Sequence, residues 1–559
     1  MSLYKNAREE VARMLNIHHK ELTYVLYKVG IDKSYKTFKI PKKNGKYRII
    51  NAPTEKLKRI QKKLADELYN MHIEYLHNNN IKSIISHGFE KNKSIITNAT
   101  VHKRNRYLLN MDILDFFPSF NFGRVQGYFE KSREFMFSKE VSTVIAQLVC
   151  FNGELPQGAP TSPLIANLIF NIVDMQILPI TKKYKLNYTR YADDMSFSTN
   201  DYKFKQNYVY FIEELTNILE KNGFGVNTEK TRLQYYSKRQ EVTGLTVNDK
   251  INANRKFINE TRAMANQLYK TGGFKINGEA GSLLQLEGRF SFINQLDKSN
   301  NKMNGVSGNN RYINKLNARE KQYQYFLFYK YFYKPQKPTI VTEGKTDIIH
   351  IKAALMKYCD MFPKLVSKND GHYDFKISFL NKTSRLKYFL GISEYGADAM
   401  LNIWNFYTGN NNRTNIYKNI CDKSIRDKNE NINPVFLLFD NEKESDKPLK
   451  KFLGSTKTEL EDRETLKLLI YNLYLLTIPL EKGLKECEIE DLYSDELLNI
   501  IINGKKFSRS SLDDSKNHFG KHRFSIYVLN NYEYIDFEKF LPLLNTINSV
   551  IINNNNNSN

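Results

Sequence analysis

Residues 190–198 read RYADDMSFS. Two adjacent carboxylates, Asp193 and Asp194, stand between apolar/polar alternations, the pattern of two strands meeting at a turn. Like charges side by side repel and gain nothing from burial. A solvated turn explains such a pair when it stands alone. A divalent cation explains it when a third carboxylate converges on it. The stretch NMDILDFFPSF supplies a candidate: Asp112, near the end of a buried apolar strand, where a carboxylate is costly unless paired or metal-bound. Three carboxylates on neighbouring strands would suit two Mg2+ ions and an in-line phosphoryl transfer, with attacking and leaving oxygens stabilised together.

Charge narrows the partner. The 559 residues hold 84 Lys+Arg and 60 Asp+Glu, a net of +24 with pI near 9.4. Residues 1–330 carry 52 basic against 30 acidic side chains, and the remainder 32 against 30. A basic excess in the first part points to a polyanion such as nucleic acid, because lysines and arginines displace its counterions. Mere solvation is the bland alternative. Four scattered cysteines (Cys150, Cys359, Cys421, Cys487) have no CxxC spacing, against a zinc site or disulfide framework and in keeping with a reducing cytoplasm. The start, MSLYKNAREE, has no apolar signal region. The run PLIANLIFNIVDMQILPI is broken by Asn167, Asn171 and Asp174, so no membrane span is expected.

Periodicity places helices at 1–30, 54–77, 163–179 and 207–222, with strands at 106–113, at 186–199 around a turn, and at 241–247. Residues 36–50 read as a hairpin with Asn44-Gly45 at its turn. Residues 255–333 are helical and basic. YKPQKP (333–338) reads as a linker. Beyond it, strands in TIVTEGKTD, PVFLLF and IYNLYLLTIP alternate with helices, as in a parallel α/β sheet. The tail, 553–559, reads as disordered.

These residues resemble the reverse transcriptase family. Asp112 is similar to its motif A aspartate and Tyr191–Asp194 to its Y-x-D-D motif. LPQGAPTSPLIAN (155–167) resembles motif B, GFGVNTEKT (223–231) motif D, and IPKKNGKYRII the fingers hairpin. The resemblance implies an α+β right-hand polymerase, with fingers and palm over 1–250 and an RNA-binding thumb over 251–332. It implies that Asp112 and Asp193 ligate both metals with Asp194 in support. Phe117 would exclude a ribose 2′-hydroxyl, and Arg48, with Lys42 or Lys46, would meet the triphosphate. Gln157 and Gly158 would shape the nucleotide pocket, and Lys230 would protonate the leaving pyrophosphate. A core aromatic, solvated charges and a surface lysine are the alternatives for Phe117, the basic residues and Lys230.

NATVH (98–102) matches the NAxxH signature of retron enzymes at Asn98, Ala99 and His102, and EVTGLTVN contains their VTG at Val242, Thr243 and Gly244. A retron enzyme recognises its own noncoding RNA, primes from a guanosine 2′-hydroxyl and makes branched msDNA. The resemblance implies that RNA, msDNA and deoxynucleoside triphosphates as partners, and leaves a homo-oligomer open. Aromatics in EKQYQYFLFYKYFYK could stack on bases; an amphipathic core helix explains them at least as well.

In the C-terminal part, Glu343 closes one strand and Asp440 ends another, followed by Glu442. Carboxylates at the C-terminal ends of parallel strands lie where α/β sheets place sites. Together they resemble the TOPRIM fold, expected over 339–552, which holds Mg2+ with a glutamate and a DxD pair. Here the pair is Asp440-Asn441-Glu442, DxE, which leaves the principal ligand open between Asp440 and Glu442. Asp347, Glu490, Asp491 and Lys521 are further candidates, helix caps being the alternative for the acids. The resemblance implies a metal-dependent nuclease effector in anti-phage defence. A non-catalytic scaffold is the alternative.

Overall fold

The computed structural model describes residues 2–42, 45–81, 85–303, 316–393, 397–425, 432–444, 447–461, 463–481, 483–510 and 517–556. The chain forms two compact units, Met1–Arg255 and Lys256–Asn559.

The N-terminal unit is built on an antiparallel sheet. Strand Tyr107–Leu114 lies at its centre, with Asp194–Thr199 and then Asn187–Tyr191 on one side. Gly225–Val226 and Arg232–Tyr235 pair along the other edge. The near-continuous apolar run of Tyr107–Leu114 suits a strand covered on both faces. Besides Asp112 its one polar residue is Asn110, which is satisfied by Ser196, Glu241 and Gln234. The helix Glu55–Asn78 turns Leu57, Ile60, Leu64 and Leu68 inward at helical spacing, each fully buried. Each such burial is worth about 1.5–3 kcal/mol. Strands Tyr35–Pro41 and Tyr47–Pro53 form the expected hairpin; Asn44 of its turn lies outside the described residues.

The helix Ser162–Lys183 is long and apolar enough, by length and composition alone, to cross a membrane. Two of its polar residues face inward, Asn167 at 5% and Asp174 at 1% exposed, and both have partners inside the unit, while Asn171 is exposed.

The C-terminal unit holds a five-stranded sheet in the order 378–379, 339–342, 435–439, 473–477, 466–470. It is parallel except at the last edge, where Leu466–Ile470 runs antiparallel. That edge strand went unread in the sequence. Side chains alternate between two covered faces. Phe436 and Leu438 join the core beneath helices Asp347–Lys357, Lys521–Asn530 and Leu541–Asn556. Val435, Leu437 and Phe439 join the core that also contains Phe326, Phe328 and Phe332.

That second core corrects two expectations and selects between two readings of a third stretch. Residues 333–338 do not separate two units: Tyr333, Pro335 and Pro338 are buried, and Asn433 Nδ2 donates to the Pro335 carbonyl at 3.0 Å. The helices Arg255–Thr271, Leu283–Met303 and Ala318–Phe328 instead contribute to the same buried core as Val435, Leu437 and Phe439 of the C-terminal sheet. The aromatics of 320–334 are largely core, with Tyr323, Tyr329 and Phe332 2% exposed or less, so they are not free to stack on bases. The tail expected to be disordered continues the last helix to Asn556, and 557–559 lie outside the described residues.

Candidate active site

Strand pairing sets the acidic residues against one another. Asp112 faces Asp194 in register, and the Ile113 N–H donates to the Asp193 carbonyl at 3.0 Å. The chain reverses at Ala192, held at φ +55°. Burial first, then the charge of Asp112, pushes the Asp193 carboxyl up, while Lys230 and Arg48 pull it back. Asp194 reaches solvent, yet the surrounding protein and then Asp193 and Asp112 push it up to about 6. Lys230 answers this crowding. Its ammonium donates to both Asp112 oxygens at 2.9 Å, and Asn227 Nδ2 adds a third bond at 3.1 Å. Burial lowers Lys230, but Asp112, Asp193 and Asp194 outweigh it and hold it raised.

Among the described residues, no three His, Cys, Asp or Glu side chains are gathered tightly enough to hold an ion as they stand. The donor set nevertheless fits a hard divalent cation: carboxylate oxygens only, crowded enough to raise two of the three, with an ammonium already drawn in.

The motif B loop meets the fingers hairpin. Asn51 N–H donates to the Gln157 carbonyl at 2.8 Å, and Gly158, at φ +122°, passes against the same strand. A Cβ at Gly158 would lie 2.9 Å from both the Asn51 carbonyl oxygen and Ile50 Cγ2. Gly158→Ala therefore has to push the loop off the strand. Strain of about 1–3 kcal/mol should slow primer extension by roughly 5- to 150-fold with the circular dichroism spectrum unchanged. An unaltered rate would refute a pocket role for this loop. Phe117 is half-buried against Phe116 and Phe89, so it is part of the core and still reaches the surface. Lys42, Lys46 and Arg48 line the exposed hairpin.

The sequence reading missed what holds the turn. Arg190, fully buried, gives Nη2 and Nε to Asp174 (2.7 and 3.1 Å) and Nη1 to Asn167 and the Ala192 carbonyl (each 3.1 Å). Its own backbone bridges Ile85 and His87. The signals were a lone Asp in an apolar helix and an Arg two residues before the turn.

The two short signatures are structural. His102 is fully buried and bonds Ser198 Oγ and Thr189 Oγ1, each at 2.7 Å, while Thr189 also donates to Asn98. Asn98, Ala99 and His102 thus brace the strands behind the acidic turn. The strand expected at 241–247 is instead a tight hairpin, Glu241–Val242 against Leu245–Thr246. Thr243 and Gly244 sit at φ +46° and +79°, both positive as a two-residue primed turn requires.

Burial, then nearby His87, pulls His102 down to about 3. The unfolded chain takes up this proton below pH about 6.5 while the folded one does not, so stability is lost as pH falls. By pH 5 the loss should reach about 2 kcal/mol from this residue. Urea unfolding of the N-terminal unit at pH 7 and pH 5 should show a smaller drop in His102→Gln than in the wild type. Equal drops would sink the assignment.

The second acidic group gathers in the C-terminal unit. Burial, then Asp347 and Glu442, pushes Glu343 up to about 7. Asp440 is raised by burial and by Asp347, Glu343 and Glu490. Asp347, 8% exposed, caps the Gly344 N–H at 2.8 Å and belongs to the same cluster. Glu442 pairs with Lys447 at 2.9 Å. Glu490 and Asp491 part company. Glu490 is fully buried and bonded to Lys521 at 3.0 Å, whereas Asp491 caps Glu488 and pairs with Arg509. Glu343 Oε2 and Glu490 Oε1 are buried without a partner among the described residues, the kind of oxygen a cation would satisfy. Lys382, which no sequence pattern indicated, donates to the Glu343 carbonyl at 3.0 Å. Burial lowers its ammonium against the pull of Asp347 and Glu343.

Residues 40–248 match the family described as reverse transcriptase (RNA-dependent DNA polymerase). The chain is 29% identical over 325 residues to the retron Ec86 reverse transcriptase of Escherichia coli, covering 57% of this chain and 91% of that protein. It is 32% identical over 255 residues to the retron Mx65 reverse transcriptase of Myxococcus xanthus, covering 42% of this chain and 56% of that one. A telomerase structure from Candida albicans aligns over 52% of this chain and 59% of its own at 11% identity, with a TM-score of 0.32, too low to bear on the fold.

Proposed function

We propose, starting from the reverse transcriptase domain that residues 40–248 carry, that this chain is a retron RNA-directed DNA polymerase. It copies part of its own noncoding RNA into branched msDNA in the bacterial cytoplasm, beginning at a guanosine 2′-hydroxyl. The observation that carries this reading is the convergence of Asp112, Asp193 and Asp194 at one end of the palm sheet, with Lys230 on Asp112. Magnesium bound by these carboxylates would lower the pKa of the attacking hydroxyl and neutralise the triphosphate. Asp112 and Asp193 are its principal ligands and Asp194 supports them. Arg48, with Lys42 or Lys46, receives the triphosphate; Gln157 and Gly158 shape the base-pair pocket; Phe117 rejects a ribose 2′-hydroxyl. Lys230 then offers its proton to the departing pyrophosphate, where a cation stabilises the charge that develops. Expression of the gene with its flanking DNA tests the reading. A small DNA joined to RNA should appear, and should vanish in Asp193→Ala. Its absence, together with silence on a generic primed RNA template, would overturn the assignment.

For the C-terminal unit we infer a TOPRIM-type nuclease effector of anti-phage defence. The support is the buried acidic cluster at the C-terminal ends of its parallel strands, with its two unpartnered oxygens. Glu343, Asp440 and Glu442 would hold Mg2+, with Asp347 and Glu490 beside them. Metal-dependent cleavage lost in Glu343→Gln is the expected outcome. A scaffold is the second reading, favoured by Lys447 and Lys521, which already neutralise Glu442 and Glu490. No cleavage of RNA or DNA at any magnesium concentration would select it.

A further inference from the structure

A cleft of about 350 Å3 opens along the Arg255–Thr271 helix, apart from both acidic groups. Asn259, Arg262, Asn266 and Tyr269 follow one another at helical spacing along it, and Ala263 leaves room in the middle. The face behind them is spent in the core, where Thr261, Ala265 and Leu268 are buried. The carboxylate of this helix, Glu260, pairs with Arg289 and does not line the cleft. Gln322 closes one wall from the Ala318–Phe328 helix. Lys423 closes the other, from the turn after Ile416–Cys421. That turn is tied down by the Ile425 N–H, which donates to the Lys270 carbonyl at 3.1 Å.

Among the described residues the lining therefore offers two cations, three amides and a phenol, with no carboxylate. Tyr269 is 3% exposed, and its hydroxyl is buried without a partner among the described residues. A buried O–H of this kind calls for an acceptor. A phosphate oxygen supplies one, and guanidinium and ammonium complement its charge. The amides suit base edges or ribose hydroxyls. The cleft is open, with Asn259, Arg262 and Asn266 exposed, which suits a strand passing through it better than a free nucleotide that must be enclosed.

We propose that this cleft binds a nucleotide phosphate, supplied by a phosphodiester of single-stranded RNA. The proposal rests on the nucleic-acid reading above. It adds a site whose walls come from helices expected to belong to the thumb and from Lys423 of the segment beyond.

The test uses the full chain and a short labelled RNA, with anisotropy measured across a salt series. Each phosphate contact on a single strand contributes about 0.7 to the salt slope. The Arg262→Ala/Lys423→Ala variant, which leaves that one phosphate without a cation, should lose about 0.7 in slope and bind roughly tenfold more weakly near physiological salt. Tyr269→Phe keeps the ring, and should weaken binding two- to threefold or so with the slope unchanged. Equilibrium dialysis with dATP and with inorganic phosphate separates the sources. An unchanged RNA slope with one dATP or phosphate site lost would assign the cleft to a free phosphate and overturn the RNA source. No change in either overturns the proposal. Primer extension reads the polymerase assignment separately. The double variant should keep its rate of single-nucleotide addition, while Asp193→Asn should lose that rate and keep the salt slope.

Discussion

Asp193→Asn should abolish DNA synthesis, by at least about a thousandfold, in a protein that melts no lower than the wild type. The rate effect follows from what a metal contributes to phosphoryl transfer, several kcal/mol of charge stabilisation, with each 1.4 kcal/mol worth tenfold. The stability effect follows from the same crowding. Burial and Asp112 already push the Asp193 carboxyl toward its neutral form, so an uncharged amide relieves repulsion that the folded state otherwise bears. The two effects run in opposite directions, and that is the diagnostic. A turn kept only for its shape would lose the repulsion and keep the activity. Primer extension on a primed RNA template and a thermal melt of the same preparation decide it. Activity above a tenth of wild type would end the polymerase assignment of this residue.

Arg190→Met should cost about 3–5 kcal/mol, because it leaves Asp174 charged in the core without a counter-ion, held only by the Tyr188 hydroxyl. The companion change separates charge from packing. Asp174→Leu added to Arg190→Met removes both ions and fills the space with apolar atoms, and should restore most of the stability. Activity should not return with it. Arg190 also donates to the Ala192 carbonyl, and the double variant still lacks that hold on the turn carrying Asp193. Urea denaturation and primer extension on the single and double variants test both halves. A double variant as unstable as the single one would mean that the guanidinium's bonds to Asn167 and the backbone, rather than the ion pair, carry the energy.

The acidic end of the N-terminal sheet was legible because its chemistry is local. Asp112 closes an apolar run and Asp193-Asp194 mark a turn, so three costly carboxylates announced themselves within short stretches of chain. Arg190 and Asp174 did not, though only sixteen residues apart. Asp174 read as an interruption of an apolar helix, and nothing short of the helix's rotation shows that it faces inward. The Val242–Gly244 segment read as strand since β-branched residues flank it, but a Thr-Gly pair at positive φ makes a turn. Glu490 and Asp491 looked equivalent as neighbours. Side-chain direction alone sent one to Lys521 and the other to Arg509. The prolines at 335 and 338 read as a linker because prolines often mark one, whereas here they lie buried against the strand that follows.

The shared core of the C-terminal unit sets where this protein can be cut and joined. Evolution and engineering both exchange modules at seams that few buried side chains cross. A seam at 333–338 would strip Phe326, Phe328 and Phe332 from the core they share with Val435, Leu437 and Phe439 and leave both fragments with raw apolar surface. A graft that moves the acidic sheet to another polymerase must therefore carry residues 256–333 with it. What travels with the acidic sheet is then the helical half of its own core, and the two are inherited together.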